Sequence, residues 1–354
     1  MTPDGAAASS RAGTDQLVGP LVDPLVGPRR VLVTGASGLL GSVVARRLVA
    51  HGHAVRTFQR RPARVTGAAD TLGSMTDPAA VARAVDGVDA VIHLAAKVSF
   101  AGDPRDFLAV NVDGTATLLD AARVAGVADV VFVSSPSVAH AGTSIVGAGA
   151  GPADPRRARG EYARTKAAAE LLALAADAPG FRVAAIRPHI VWGPGDTQLV
   201  ERVVDRARRG RLPMLDAGAA LIDSTYIDNA AAAIVAGLHR MDHAHGQALV
   251  VTNGQPRMVG ELIGGICRAA GVPEPAWHVP GGLARAVGGV IEAAWRVRRR
   301  PKDSADEPPM TRFLAEQLST AHWFDQRHTR EVLDWAPAVS IEDGLARLAA
   351  HYGR

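Results

Sequence analysis

The stretch "VLVTGASGLLGSVVARRL", Val31 to Leu48, constrains the fold more than any other part of this chain. A run of apolar, β-branched residues ends in Gly35, Gly38 and Gly41, and apolar residues at helical spacing follow. A strand that feeds directly into a helix cannot close as a hairpin. The helix packs back over the sheet and delivers the next strand parallel to the first. The same alternation recurs. "AVRTF" (54–58), "DAVIHL" (89–94), "DVVFVS" (129–134) and "RVAAIR" (182–187) are almost continuously apolar, as strands covered on both faces must be. Between them "LLGSVVARRLVAHG", "DPAAVARAVDG", "DFLAVNVDGTATLLDAARVAG" and "EYARTKAAAELLALAAD" carry apolar residues at helical intervals. The expected fold class is α/β, a doubly wound parallel sheet over residues 29–192. After Gly193 the rhythm breaks into Pro- and Gly-rich segments and separate amphipathic helices. Residues 193–354 are therefore expected to form mainly a smaller substrate-binding α/β region, with some segments returning to the first domain and the ligand held in the cleft between. Residues 1–28 carry "LVGP", "LVDP" and "LVGP" at 17–28. Proline every fourth residue suits neither helix nor sheet, so this is read as a disordered lead-in.

Composition removes several classes of function. A single cysteine, Cys267, rules out an internal disulfide framework and suits a reducing compartment, where it is expected to be a buried spectator. The net charge of only +4, with no basic stripe interleaved with aromatics, speaks against nucleic acid. No apolar run reaches the roughly 18 residues a membrane span needs, and no basic-then-apolar leader opens the chain. A cytoplasmic protein without a metal centre is the expectation.

The three glycines have a chemical reading. Glycine at the turn lets the backbone approach a pyrophosphate, and the helix N-terminus turns its free N–H groups toward the anion. The second strand then decides which dinucleotide fits. A carboxylate there would hold a ribose 2′-hydroxyl and repel a 2′-phosphate; the chain instead offers Gln59, Arg60 and Arg61. That favours NADP(H) over NAD(H), with Arg60 the nearer to the strand end. The bland alternative is two arginines on a solvated loop.

Tyr162 and Lys166 stand one helical turn apart in "GEYARTKAAAE". By itself such a pair is commonplace. Here it follows the strand "VVFVSSPSV", whose end brings Ser134 and Ser135 to the crevice side of the sheet. Reducing a ketone needs a hydride and a proton. A neighbouring ammonium is expected to pull the phenol down from its ordinary pKa of about 10 toward the useful range, and a serine hydroxyl would donate to the developing alkoxide. Ser135 is preferred over Ser134, which points to the opposite strand face.

The spacing G-x-x-G-x-x-G, the strand-end serine and the Tyr-x-x-x-Lys helix together resemble the extended short-chain dehydrogenase/reductases. The resemblance covers residues 30–354 and implies Ser135, Tyr162 and Lys166 as the catalytic set. It also implies cofactor contacts from Gly35, Ser37, Gly38, Leu39, Leu40, Gly41, Met75, Ala95, Ala96, Asn111, Tyr162, Lys166 and Pro188, with Asn111 bracing an adjoining helix. One departure is Ser74, where relatives often carry Asp. "SSPSVAHAG", "RPHIVWGPGD", "STYIDNAAAA" and "STAHWFDQRHTREVLDWAPAVSIEDGL" are similar to the 3β-hydroxysteroid dehydrogenase-like group. Within it they are most similar to bacterial 2-alkyl-3-oxoalkanoate reductases of long-chain olefin biosynthesis. That implies NADPH-dependent reduction of a lipid-like 2-alkyl-3-keto acid. It also implies a homodimer built on helices 105–125 and 160–177, and leaves open a complex with other enzymes of the pathway. Sterol oxidation and sugar-nucleotide epimerisation share the scaffold. Elimination is disfavoured, because Pro136 and Ser137 stand where dehydratases carry Asp-Glu.

Smaller features keep two readings. Asp228 is expected to cap the helix that follows it. His140 and His189 either line the substrate cleft or are satisfied polar residues at its edge. "PGGLARAVGGVIEAAWRVRRRP" (280–301) reads as an ordinary packed helix with a solvated basic end, a lid over acyl chains, a peripheral membrane helix or a dock for pathway partners.

Overall fold

The computed structural model describes residues 27–99, 102–297 and 312–354. Seven strands form one sheet: β1 (Arg30–Thr34), β2 (Ala54–Gln59), β3 (Ala68–Leu72), β4 (Ala90–His93), β5 (Asp129–Val133), β6 (Arg182–Pro188) and β7 (Ala248–Val251). Their spatial order is β3-β2-β1-β4-β5-β6-β7, and every pairing is parallel. The doubly wound sheet read from the alternation is thus the fold. The strand order reverses between β1 and β4, which is where ligands enter such sheets.

Two of the seven strands were not among the five read from sequence. β3 is a solvent-facing edge strand with no fully buried residue, so no apolar run marks it. β7 lies beyond residue 193, where the regular alternation has ended.

Helices cover both faces. α1 (Leu39–Ala50) and α5 (Ile227–His239) pack on one side over Val31, Val33, Ile92 and Val131. On the other, α2 (Pro78–Val85), α3 (Gly114–Val124) and α4 (Gly160–Ala175) cover Leu32, Val91, Val130 and Phe132. α2 starts where Asp77 accepts hydrogen bonds from the amides of Ala79 and Ala80, with Pro78 at the first helical position. The segment read as one long helix before α3 is broken. A short α-turn, Pro104–Phe107, runs into a π-helical turn, Leu108–Asp113, and only then into α3. Such turns recur at functional sites because they re-aim side chains within a helix.

A second core gathers Trp192, Val203, Tyr226, Ile266 and Leu348, with helices Val200–Arg208, Val259–Ala270 and Ile341–His351. The lone Cys267 is buried inside it, and burial pushes its thiol up to about 11. Beside this core, four short strands form a sheet in the order Arg257–Met258, Leu221–Ile222, His322–Phe324, Ile145–Ala148. Ile145–Ala148 comes from the chain between β5 and α4, while α5, β7 and the helix Arg327–Leu333 return to the large sheet. The chain therefore crosses between the two layers several times. Most of the lead-in, residues 1–26, lies outside the described residues.

Candidate active site

The loop after β1 presses against the loop after β4. Gly35 has a φ of 75°, and a Cβ there would stand 2.8 Å from the amide nitrogen of Ala95, so no other residue fits. A Cβ on Gly41 would meet the carbonyl oxygen of Gly35 at 2.4 Å. Gly38 differs: an added Cβ would approach only that same oxygen, at 3.4 Å, so the space above the loop is open. Gly38 also forms the N-cap of α1 with no side-chain cap, and no acidic residue occupies the first turn. Ser37 is exposed and Leu39 and Leu40 are half-buried beside it. Met75 is buried, and a Cβ on Gly114 would come within 3.0 Å of its Cβ.

At the end of β2, Gln59 turns inward. Its amide donates to Thr57 Oγ1 and to Asp70 Oδ1 on β3, at 3.1 and 2.8 Å. Asp70 Oδ1 also accepts from Thr57 Oγ1 and the amide of Ala63, and these hydrogen bonds hold its carboxyl below the usual carboxylate range. Arg60 and Arg61 are left exposed. Ser74, in the place where relatives often carry Asp, shares a local hydrogen bond with Thr76 Oγ1.

Across the switch point, β5 ends at Val133. Ser134 is buried, its amide bonded to Ile186 O and its hydroxyl without a hydrogen-bond partner among the described residues. Ser135 is half-buried and caps a short 3₁₀ turn, Pro136–Val138, which packs against α4. The amide and hydroxyl of Ser137 both donate to Ser135 Oγ, at 3.3 and 2.9 Å. With its lone pairs engaged, the Ser135 O–H is left to donate.

Tyr162 lies in the first turn of α4, half-buried, and Lys166 follows one turn later, almost completely buried. Here the structure reverses an expectation. Lys166 Nζ donates to the carbonyl oxygen of Val133 at 2.7 Å and sits 3.9 Å from the ring centroid of Phe132. Burial drives Lys166 down to about 7, with Glu170 opposing, and drives the Tyr162 phenol up to about 12. The ammonium is spent on β5 and does not acidify the phenol. Desolvation acts on both groups, raising the phenol and lowering the amine.

A chain of hydrogen bonds ties this helix to the sheet. The amide of Ala95 donates to Thr34 Oγ1, which donates to His93 Nδ1 at 2.7 Å; His93 Nε2 then donates to Thr115 Oγ1, and that hydroxyl to the carbonyl of Asn111. On the π-helical turn, Asn111 Nδ2 donates to Thr165 Oγ1 on α4 at 3.0 Å, while its Oδ1 accepts from the amide of Lys97. Burial holds His93 down to about 3, so the imidazole stays neutral. Sequence reasoning named Asn111 and missed His93, Thr115 and Thr165. A histidine inside the apolar run "AVIH" was the available signal, since a buried polar group must have partners.

Beneath α4, Glu170 and Arg187 form a fully buried ion pair: Arg187 Nε donates to Glu170 Oε2 at 2.8 Å and its Nη2 to Oε1. The remaining nitrogen, Nη1, reaches the carbonyls of Ala150 and Gly151 in the loop before the helix.

These parts decide the family. The description "NAD dependent epimerase/dehydratase family" matches residues 31–252. The chain belongs to that family. It also resembles a 2-alkyl-3-oxoalkanoate reductase of Stenotrophomonas maltophilia, 39% identical over 91% of this chain and 98% of the relative. A 3 beta-hydroxysteroid dehydrogenase/Delta 5-->4-isomerase of Mycobacterium tuberculosis is 30% identical over 91% and 90%. Among solved structures, gox2253 superposes with a TM-score of 0.73 at 26% identity, covering 92% of this chain and 98% of its own.

For an epimerase/dehydratase-family chain, a dinucleotide is the implied cofactor, and the residues fit it. The open face of Gly38, the uncapped first turn of α1 and the exposed arginines at β2 suit a pyrophosphate and ribose, while the one carboxylate beside Gln59, Asp70, is engaged by hydrogen bonds from Thr57, Gln59 and Ala63. Pro188, buried at the end of β6, leads into a strained loop in which Ile190 takes a φ of 42°, rare for a β-branched residue and typical of functional loops.

The histidines resolve differently. His189 Nε2 donates to His322 Nδ1 at 2.8 Å and His322 Nε2 to Gln317 O, so the two rings are joined and both nitrogens of His322 are engaged, and burial keeps both rings below their ordinary value. His140 is buried, with Nε2 unpartnered among the described residues. Asp228 does not cap α5. The helix starts at Ile227 after Tyr226, which places Asp228 inside the first turn, where it accepts from Arg347 Nη1 at 3.0 Å.

Proposed function

We propose that this protein is an NADP(H)-dependent ketoreductase that converts a 2-alkyl-3-oxoalkanoic acid to the 2-alkyl-3-hydroxy acid in long-chain olefin biosynthesis. One observation carries the reading. A Tyr-x-x-x-Lys helix beside a strand-end serine lies in a chain matched almost end to end by a relative named for that activity. Bound at the loop after β1, the dinucleotide would supply the hydride.

The protein's own groups handle the proton and the charge. A phenol pushed up to about 12 is fully protonated at neutral pH, which suits a donor to an alkoxide. The Ser135 hydroxyl, freed to donate by Ser137, stabilises negative charge on the same oxygen as it builds. Lys166, held near 7, keeps a proton at Nζ that is readily exchanged near neutrality, one turn from Tyr162. Asn111 and the His93 chain hold α4 in register with the sheet. Arg60 is the reader of the 2′-phosphate, with Arg61 beside it.

A cytoplasmic homodimer is part of the same reading, supported by exposed Leu108, Val124 and Leu171 on the helical segments expected to pair. The mycobacterial relative supports a second reading, oxidation of a 3β-hydroxysteroid by the same residues. Following NADPH absorbance with a long 2-alkyl-3-keto acid, a 3-ketosteroid and a nucleotide sugar separates them. Consumption with the keto acid alone is expected. Turnover of the steroid alone moves the assignment to the second reading, and tightly retained NAD with activity on the sugar overturns both.

A further inference from the structure

Arg187 touches three parts of the molecule at once. It lies on β6, one residue before Pro188, with its side chain 1% exposed. Two of its nitrogens are committed to Glu170 on α4, whose side chain is buried to the same degree. A pair of this kind could close on itself. Instead Nη1 turns away from the carboxylate and donates to two main-chain carbonyls, those of Ala150 and, at 3.0 Å, Gly151. A guanidinium can tie strand, helix and loop together because its five N–H donors point in fixed directions within one plane.

The carbonyls it takes belong to the segment that leads into the catalytic helix. Residues 149–159 contain neither helix nor strand, and they join the small-sheet strand Ile145–Ala148 to the first turn of α4, which carries Tyr162. No side chain caps that helix start, so the preceding segment sets how the chain enters it. The same segment leans on the turn that begins at Ser135. The amide of Asp154 donates to Val138 O at 3.0 Å, and Ala153 is buried with Val138 and with Ala167 of α4. Ala158 packs beside them, and most of the other residues of the segment are exposed. Two alanine methyl groups bury little area, so the buried guanidinium is the stronger tie.

We propose that Arg187, held by Glu170, is a positioning residue for catalysis: its fork fastens residues 149–159 to β6 and α4 and thereby fixes Tyr162 relative to Ser135. The inference rests on the ketoreductase reading, in which Tyr162 gives the proton and Ser135 stabilises the charge on one oxygen. A misplacement of about 1 Å between such groups lowers turnover about a hundredfold, which is what a fixed entry to α4 prevents.

The test uses the full chain with Glu170→Met and Arg187→Met together, which removes the fork without leaving a buried charge alone. In hydrogen exchange, the amides of residues 149–159 should exchange about tenfold faster or more, with those of β1 and β4 unchanged. Turnover should fall about tenfold or more while KM for NADPH moves less than about twofold. On a Tyr162→Phe background the same two substitutions should cost less than about threefold further, because a phenol already removed cannot be misplaced. Arg187→Lys keeps the buried charge paired and gives up the fork, and should show the exchange and turnover effects in smaller measure. Wild-type exchange in both variants, wild-type turnover in both, or a loss that multiplies in full with that of Tyr162→Phe overturns the inference. Exchange needs no substrate. A wild type inert toward every carbonyl compound offered, with the exchange difference present, would therefore sink the ketoreductase reading and support the tie between Arg187 and the segment.

Discussion

The two ends of the cofactor path are built on opposite principles. At the β5–α4 end the polar groups are buried and pinned: Lys166 on Val133, Asn111 on Thr165, His93 between two threonines, and Glu170 against Arg187. At the β2 end Arg60 and Arg61 stand in solvent, and Gln59, which turns inward, is held by Thr57 and Asp70. A buried charge without its partner costs several kcal/mol, whereas an exposed one costs little. The first region therefore couples folding to pH, whereas the exposed arginines of the second can be changed at little cost to stability.

The sharpest way to break that contrast is at the buried pair. Arg187→Met leaves Glu170 uncompensated and is expected to cost about 3–5 kcal/mol in urea unfolding, most of it recovered when Glu170→Met is added. A cost below about 1 kcal/mol would mean that the pair is not desolvated. Next is Tyr162→Phe, which should lower turnover by about two orders of magnitude or more while leaving NADPH affinity and the unfolding midpoint in place. Turnover like that of the wild type would remove the phenol from the reaction. At the exposed end, Arg60→Ala should weaken NADPH about tenfold or more, by loss of charge-assisted hydrogen bonds, with NADH and stability unchanged. Equal weakening of both cofactors would show that the arginine does not read the 2′-phosphate.

The smallest effect is a pH slope. Lys166 has a folded value near 7 against an ordinary 10.5, so between those limits the unfolded chain binds more protons than the native one. Stability gained from this site therefore rises with pH across that window, and below it the full cost of burying the ammonium is present. Thermal unfolding of the wild type measured against Lys166→Met should show the wild type gaining on the variant from pH 7 toward 10.5. A flat difference would mean that the ammonium keeps its proton in the native state.

Five of the seven sheet strands, the glycine loop and the positions of Ser135, Tyr162 and Lys166 were legible because each depends on neighbours within a strand or a helical turn. The edge strand Ala68–Leu72 was not, because no apolar burial marks it. Nor was the π-helical turn Leu108–Asp113, whose residues read as ordinary helix. The role given to Asp228 failed by two residues of helix boundary, enough to turn a cap into an ion pair with Arg347.

By itself the sequence determined that strands and helices alternate, that a glycine turn joins the first pair, and that a phenol and an amine share one turn of helix. These are local consequences of side-chain shape and period. Only the tertiary structure decided that Lys166 spends its proton on β5 and leaves the phenol high, and that His93 is locked neutral among threonines. It alone joined His189 to His322 and placed Ile145–Ala148 beside a strand from the far end of the chain. Each of those outcomes depends on partners 22 to 177 positions apart, and on how much water their packing excludes, which no stretch of residues read in isolation contains.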